Sequence, residues 1–94
     1  MLLRDLQINY YTDGGCSSFA SSPPNPFTDN SCYNWQISGT NSANIANCDG
    51  FSTCDCSFYT QPNCGGASQS ASFGGNNCAS NWGQGFSSFK CQVA

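Results

Sequence analysis

Tyr10-Tyr11-Thr12-Asp13-Gly14-Gly15-Cys16 returns later in the chain as Phe58-Tyr59-Thr60-Gln61-Pro62-Asn63-Cys64. Each copy is a short run of strand-forming residues that ends in turn-formers and a cysteine. Further matches follow in the same order on both sides. Phe27 and Cys32 correspond to Phe73 and Cys78, and Asn34-Trp35 to Asn81-Trp82. Asp49-Gly50-Phe51-Ser52-Thr53-Cys54-Asp55-Cys56 aligns with Gln84-Gly85-Phe86-Ser87-Ser88-Phe89-Lys90-Cys91. Preserved order is the signature of a duplication. It predicts one domain over residues 1–94 built from two motifs, residues 6–56 and 57–94, with no linker between them.

The segments between the turns alternate apolar and polar residues rather than following a helical period. Leu6-Gln7-Ile8-Asn9-Tyr10, Cys56-Ser57-Phe58-Tyr59-Thr60 and the stretch from Phe86 to Val93 read as strands. Asp13-Gly14-Gly15, Pro62-Asn63, Gly65-Gly66, Gly74-Gly75 and Pro23-Pro24-Asn25-Pro26 separate them. Many short strands with frequent turns predict an all-β sandwich or barrel.

Eight cysteines in 94 residues form an even, dense set. Such a set reads as a disulfide framework made in an oxidising compartment, so the expected location is extracellular. Metal is the competing use of cysteine, but the chain has no His, and Cys54-x-Cys56 is not a zinc spacing. No metal and no cofactor are expected. Cys48 and Cys54 have no counterparts in the second motif and are expected to pair. Repeating local pairs would then join Cys16 to Cys32 and Cys64 to Cys78, leaving Cys56 and Cys91 to bridge the motifs. This is one of many connectivities that eight cysteines allow.

The net charge is −3, and the only basic residues are Arg4 and Lys90. Nucleic-acid binding needs a basic face that displaces counterions, and adhesion to anionic lipid needs the same. Neither partner is expected. No segment reaches the ~20 apolar residues of a membrane span, so no membrane insertion is expected. Met1–Asp5 is too short and too charged for a complete signal peptide, so the chain reads as the mature form of a secreted precursor.

The acid–base chemistry of most hydrolases has no carrier here. With no His and no Glu, a Ser-His-Asp or Cys-His system is excluded. The aspartates, Asp13 and Asp29 among them, read as turn-formers and surface charge rather than a catalytic pair. No catalytic residue is assigned, and the protein is expected not to be an enzyme. Binding is the better use of the chain, because exposed aromatic rings give large contact area at low entropic cost. Aromatics present in both motifs (Tyr11 and Tyr59, Phe27 and Phe73, Trp35 and Trp82, Phe51 and Phe86) are expected mainly in the core. Phe19 and Tyr33 face Ala67 and Ala79 in the alignment and become the candidate binding residues. Residues 36–49 read as an insertion in the first motif, and Asn41 and Asn44 within it are candidates as well.

Phe58-Tyr59-Thr60-Gln61-Pro62-Asn63-Cys64-Gly65-Gly66 and Trp82-Gly83-Gln84-Gly85-Phe86-Ser87-Ser88-Phe89-Lys90-Cys91 resemble the opening hairpin and closing strand of βγ-crystallin motifs. That family builds a domain of this size from two Greek keys, so the resemblance implies two such motifs in one disulfide-stapled sandwich. The general character also resembles small secreted cysteine-rich proteins of fungi, including toxins and host-interaction effectors with crystallin-like folds. Many microbial βγ-crystallins bind calcium through two Asn/Asp residues, two variable residues and Ser/Thr-Ser. Ser87-Ser88 fit the end of that pattern, but Gly83 and Gln84 occupy its acidic positions, and Asn47-Cys48-Asp49-Gly50-Phe51-Ser52-Thr53 does not reproduce the spacing. Calcium binding is therefore not expected. The leading expectation is a secreted, toxin-like or effector-like factor that meets a cell-surface protein or glycan of another cell. A carbohydrate- or cell-wall-binding module is the alternative, and a structural or storage protein a third.

Overall fold

Leu6, Ile8 and Tyr10 are buried while Gln7 between them is exposed, the alternation that makes one face of a strand a core face. In the computed structural model this segment is β1 (Asp5–Tyr11), followed by β2 (Phe19–Ser21), β3 (Tyr33–Asn34), β4 (Ser42–Asp49), β5 (Cys54–Gln61), β6 (Gly65–Ser72), β7 (Ala79–Ser80) and β8 (Ser88–Val93). A 3-10 turn at Pro62–Cys64 separates β5 from β6. The structure describes residues 5–26, 28–36, 39–80 and 85–94, with Asp5 described by its backbone. Phe27 and Trp82, expected in the core, and Gly83 and Gln84 of the calcium pattern lie outside these residues.

Two four-stranded antiparallel sheets face each other, in the orders β2-β1-β4-β7 and β3-β8-β5-β6. Of the two all-β architectures the alternation allows, the sandwich is the one that forms. The short third strand of each half joins the opposite sheet: β3 pairs with β8, and β7 with β4.

The central strand pairs of the two halves, β1–β4 and β5–β8, share a register from Ile8 to Tyr11 and from Cys56 to Tyr59. Tyr10 faces Ala43 as Phe58 faces Phe89, and Ile8 faces Ile45 as Cys56 faces Cys91. Two buried serines mark the same point in each. Ser42 Oγ donates to Asp13 O at 2.6 Å and accepts from Cys16 N at 3.1 Å. Ser88 Oγ donates to Gln61 O at 2.6 Å and accepts from Cys64 N at 2.8 Å. Each hydroxyl thus satisfies two backbone groups of the turn after the first strand of its half, which removes the cost of burying them unpaired. Gly39 (φ 83°) and Gly85 (φ 76°) precede the two closing strands in the same left-handed conformation, where a side chain would be strained.

This register corrects the sequence alignment. Gly85–Cys91 corresponds to residues 39–45, not to Gly50–Cys56. Residues 36–49 are therefore no insertion, since they carry β4, the closing strand of the first half. Gly50-Phe51-Ser52 misled because Gly50 also takes a positive φ (83°) just before a strand. It turns the chain from β4 into β5, and the join expected at Cys56 and Ser57 falls inside β5.

All eight cysteines are paired. Cys48–Cys54 forms as expected and clips the β4–β5 turn, and Cys56–Cys91 forms as expected. It joins adjacent strands β5 and β8 of one sheet, however, rather than bridging the halves. The local pairs Cys16–Cys32 and Cys64–Cys78 do not form; the bonds are Cys16–Cys78 and Cys32–Cys64. The cause is the exchange of third strands. Cys32 and Cys78 each precede a strand that crosses to the other sheet, so each arrives beside the first cysteine of the other half.

The centre of the core is an aromatic cluster. Tyr10 lies 6.2–6.4 Å from the ring centroids of Phe58, Phe86 and Phe89, in edge-on or tilted contact. Phe86 is buried as expected, whereas Phe73, expected in the core, is 48% exposed. Phe73 sits in the turn after β6, outside the strand whose alternation turns side chains to the core.

Tyr10 donates its hydroxyl to Trp35 O at 3.1 Å, and burial, aided by the nearby Tyr33 phenol, pushes its pKa well above the ordinary tyrosine range. The folded pKa lies above the unfolded one. This contribution is thus intact below the unfolded tyrosine pKa of about 10 and is lost as pH rises beyond it. Urea midpoints measured across that boundary should fall on the alkaline side, and Tyr10→Phe should flatten the fall. An equal decline in both proteins would assign it to other groups.

Candidate functional site

Where β3 forms the edge of its sheet, Tyr33 and Trp35 line a surface groove of about 560 Å³ with Pro24, Asn25 and Asn34. The connection from β2 to β3 supplies Pro24 and Asn25 as it passes from one sheet to the other. Tyr33 lies across from Phe89 and stacks on it, with ring centroids 5.0 Å apart and planes 15° apart. Its hydroxyl donates to Pro24 O at 2.5 Å, and Trp35 meets its ring edge-on at 6.4 Å. Trp35 N donates to Ser87 O at 3.1 Å. The Asn34 amide is locked by Asn63, donating to its Oδ1 at 3.0 Å and accepting from its backbone N at 2.7 Å. The walls are therefore rings and amides held by the β3–β8 pairing and by the turn after β5.

The tyrosine wall of the groove has no ring opposite it in the second half. Ala79 holds the position equivalent to Tyr33, as the matching registers Tyr33–Phe89 and Ala79–Ala43 show, and it provides no ring. Of the four binding candidates, only Tyr33 lines the groove. Phe19 is 60% exposed at the start of β2, edge-on to Tyr11 at 6.4 Å. Asn41 donates to Thr12 O at 2.6 Å, joining the residue before β4 to the residue after β1, and Asn44 Oδ1 accepts from Tyr11 OH at 3.1 Å, tying β4 to the end of β1. Pro24, Asn25, Asn34 and Trp35 were missed in the sequence. Trp35 was assigned to the core by its match to Trp82; it packs against the core with one part and lines the groove with another. The proline run that differs between the halves was the usable signal.

The acidic groups are engaged in turns. Asp13 accepts from Ser17 N and Ser18 N at 2.9 Å and from Gly15 N at 3.2 Å, and these bonds hold its carboxyl below the usual carboxylate range. Asp29 is lowered in the same way by the side chain and backbone of Ser31. Carboxylates stabilised in the charged form are poor proton donors at neutral pH. Ser57 lies across from Lys90, but its hydroxyl is shared with Ser70 at 3.4 Å and the ammonium stands 6.0 Å from the Tyr59 ring centroid. Among the described residues no cluster of His, Cys, Asp or Glu could hold a metal ion, and no helix is long and apolar enough to cross a membrane.

No family model matches this chain, and neither the curated proteins nor the solved structures include one significantly similar to it.

Proposed function

We propose that the protein is a secreted, non-enzymatic factor that acts on another cell, and that the Tyr33–Trp35 groove makes the contact. The observation that carries this reading is the groove itself, an aromatic surface built on Tyr33, whose equivalent position in the other half holds Ala79. Four disulfides fit an oxidising, extracellular setting. The lack of His and Glu, and the commitment of Asp13 and Asp29 to turns, favour binding over catalysis. The exchange of third strands between sheets supports the double Greek-key reading and, with it, the likeness to crystallin-type secreted factors.

The test applies purified protein to fungal, bacterial and plant cells and measures growth and membrane leakage. The parent should act on at least one class. Asn25→Gly, which suits the positive φ of 48° at that position, should reduce the effect about tenfold if its amide contacts the target. Phe19→Ala should leave the effect unchanged. A protein inert on every class at high micromolar dose would refute the reading.

The groove also favours the second reading, a carbohydrate- or cell-wall-binding module, because rings beside amides suit sugar faces and hydroxyls. Retention on chitin or β-glucan, weakened by Tyr33→Ala in a variant whose thermal melt remains cooperative, is the expected result. Passage through every wall polymer would exclude it.

A further inference from the structure

Four strands end the two sheets, and three of them are short. β2 has three residues and runs towards Pro23-Pro24, while β3 and β7 have two each. The fourth, β6, has eight residues, Gly-Gly-Ala-Ser-Gln-Ser-Ala-Ser, with no proline and no charge, and its register irregularity against β5 falls at its start, between Gly65 and Ser68, leaving Ser68–Ser72 regular. Edge strands of monomeric proteins usually carry charges, prolines or bulges that block pairing with another chain. Here the whole stretch from Cys56 to Phe89 carries no charged residue.

The register shows which backbone groups face outward. Cys56 and Cys91 are only 4.1 Å apart at Cα, the narrow spacing of a non-hydrogen-bonded antiparallel pair. The N–H and C=O of Cys56 therefore point to β6, as do those of Phe58, two residues on. Phe73 N donates to Cys54 O at 3.0 Å, in the same phase. The partners of Cys56 and Phe58 are Ala71 and Gln69, which spend their backbone groups inward. Ser68 and Ser70 consequently present theirs to solvent, and Gly66 to Ser70 are all exposed. The next outward residue, Ser72, is already used: its N donates to Asn76 O at 3.0 Å and its O accepts from Gly75 N at 3.1 Å.

We propose that β6 is a self-association edge, and that two copies of this chain pair antiparallel about a twofold axis at Gln69. That placement sets Ser68 of each copy against Ser70 of the other. The two outward residues then exchange both bonds on each side of the axis, satisfying all their exposed N–H and C=O groups. Gln69 meets Gln69 at the axis, and no like charges are brought together. A foreign peptide strand would gain the same backbone bonds, but the small uncharged side chains of β6 offer it no selective contact. The twofold arrangement is self-complementary, so the occupant is a second copy. Pairing fuses the two sheets of order β3-β8-β5-β6 into one eight-stranded sheet. The β3 grooves then lie at its two outer ends, seven strand spacings or roughly 34 Å apart.

The test is a charge exchange at the axis, read by light scattering across a concentration series. The parent should approach twice the 10.0 kDa chain mass as concentration rises. Gln69→Lys and Gln69→Glu should each remain at the single-chain mass, since like charges then meet at the axis, and an equimolar mixture of the two should recover the doubled mass. Gln69 is exposed, so neither substitution threatens the fold. A parent that stays at single-chain mass overturns the proposal. So does a Gln69→Lys variant that still doubles, or a mixture that fails to.

Discussion

Replacing Cys16 and Cys78 together by alanine should remove about 4 kcal/mol of stability, against about 2 kcal/mol for Cys48 and Cys54. The two bridges span 62 and 6 residues of sequence, and a disulfide restricts the unfolded chain more when the loop it closes is longer. The nested Cys32–Cys64 bond shortens the effective loop of Cys16–Cys78 but leaves it far larger than that of the β4–β5 clip. Urea midpoints of the two double variants, taken without reductant, would check the order. Equal losses would show that the bridges act through native contacts rather than through the unfolded chain. The same variants separate the observed pairing from the local one. If Cys16 and Cys78 are partners, removing both leaves no free thiol, whereas a Cys16–Cys32, Cys64–Cys78 pattern would release two.

Phe58→Ala should cost about 3–5 kcal/mol, enough to consume a large share of the stability of a domain this size. Its ring is fully buried, 5.6 Å from Phe86 and 5.7 Å from Phe89, and faces Tyr10 from the opposite sheet. It sits in one core cluster with Tyr10, Phe86 and Phe89, so truncation opens a cavity among rings that cannot collapse without leaving their edge-on or tilted contacts. Phe73→Ala should change stability by no more than ~0.5 kcal/mol, because that ring is largely in water. Chemical denaturation of the two variants gives the comparison directly. Similar losses would mean that the aromatic cluster does not hold the sheets together.

The strands and the oxidised state were legible in the sequence, because alternation and cysteine density are local signals. β1, β5 and β8 form where alternation placed them. The register of the first closing strand was not. Ser42 and Ser88 do the same work, but the Gly-Phe-Ser of residues 50–52 copies the local chemistry of residues 85–87 more closely than residues 39–41 do. Turn chemistry repeats wherever a chain must enter a strand, so it cannot by itself say which copy is which. The disulfide exchange followed from topology, namely which sheet β3 and β7 join, and a linear sequence does not carry that. The groove was half visible. Tyr33 stood out because alanine faces it in the other half, but Pro24 and Trp35 meet it only after the chain has crossed between sheets.

The crossed bridges also decide what a protease can achieve. Cys16–Cys78 spans every peptide bond from Cys16 to Cys78, and Cys56–Cys91 carries that cover on to Cys91. A single cleavage anywhere between Cys16 and Cys91 therefore leaves one covalent molecule, even in the exposed turn that joins the halves. A nicked protein would keep its mass without reductant and fall into fragments only with it. In the oxidising setting that four disulfides fit, a first cut would leave the chain in one covalent piece.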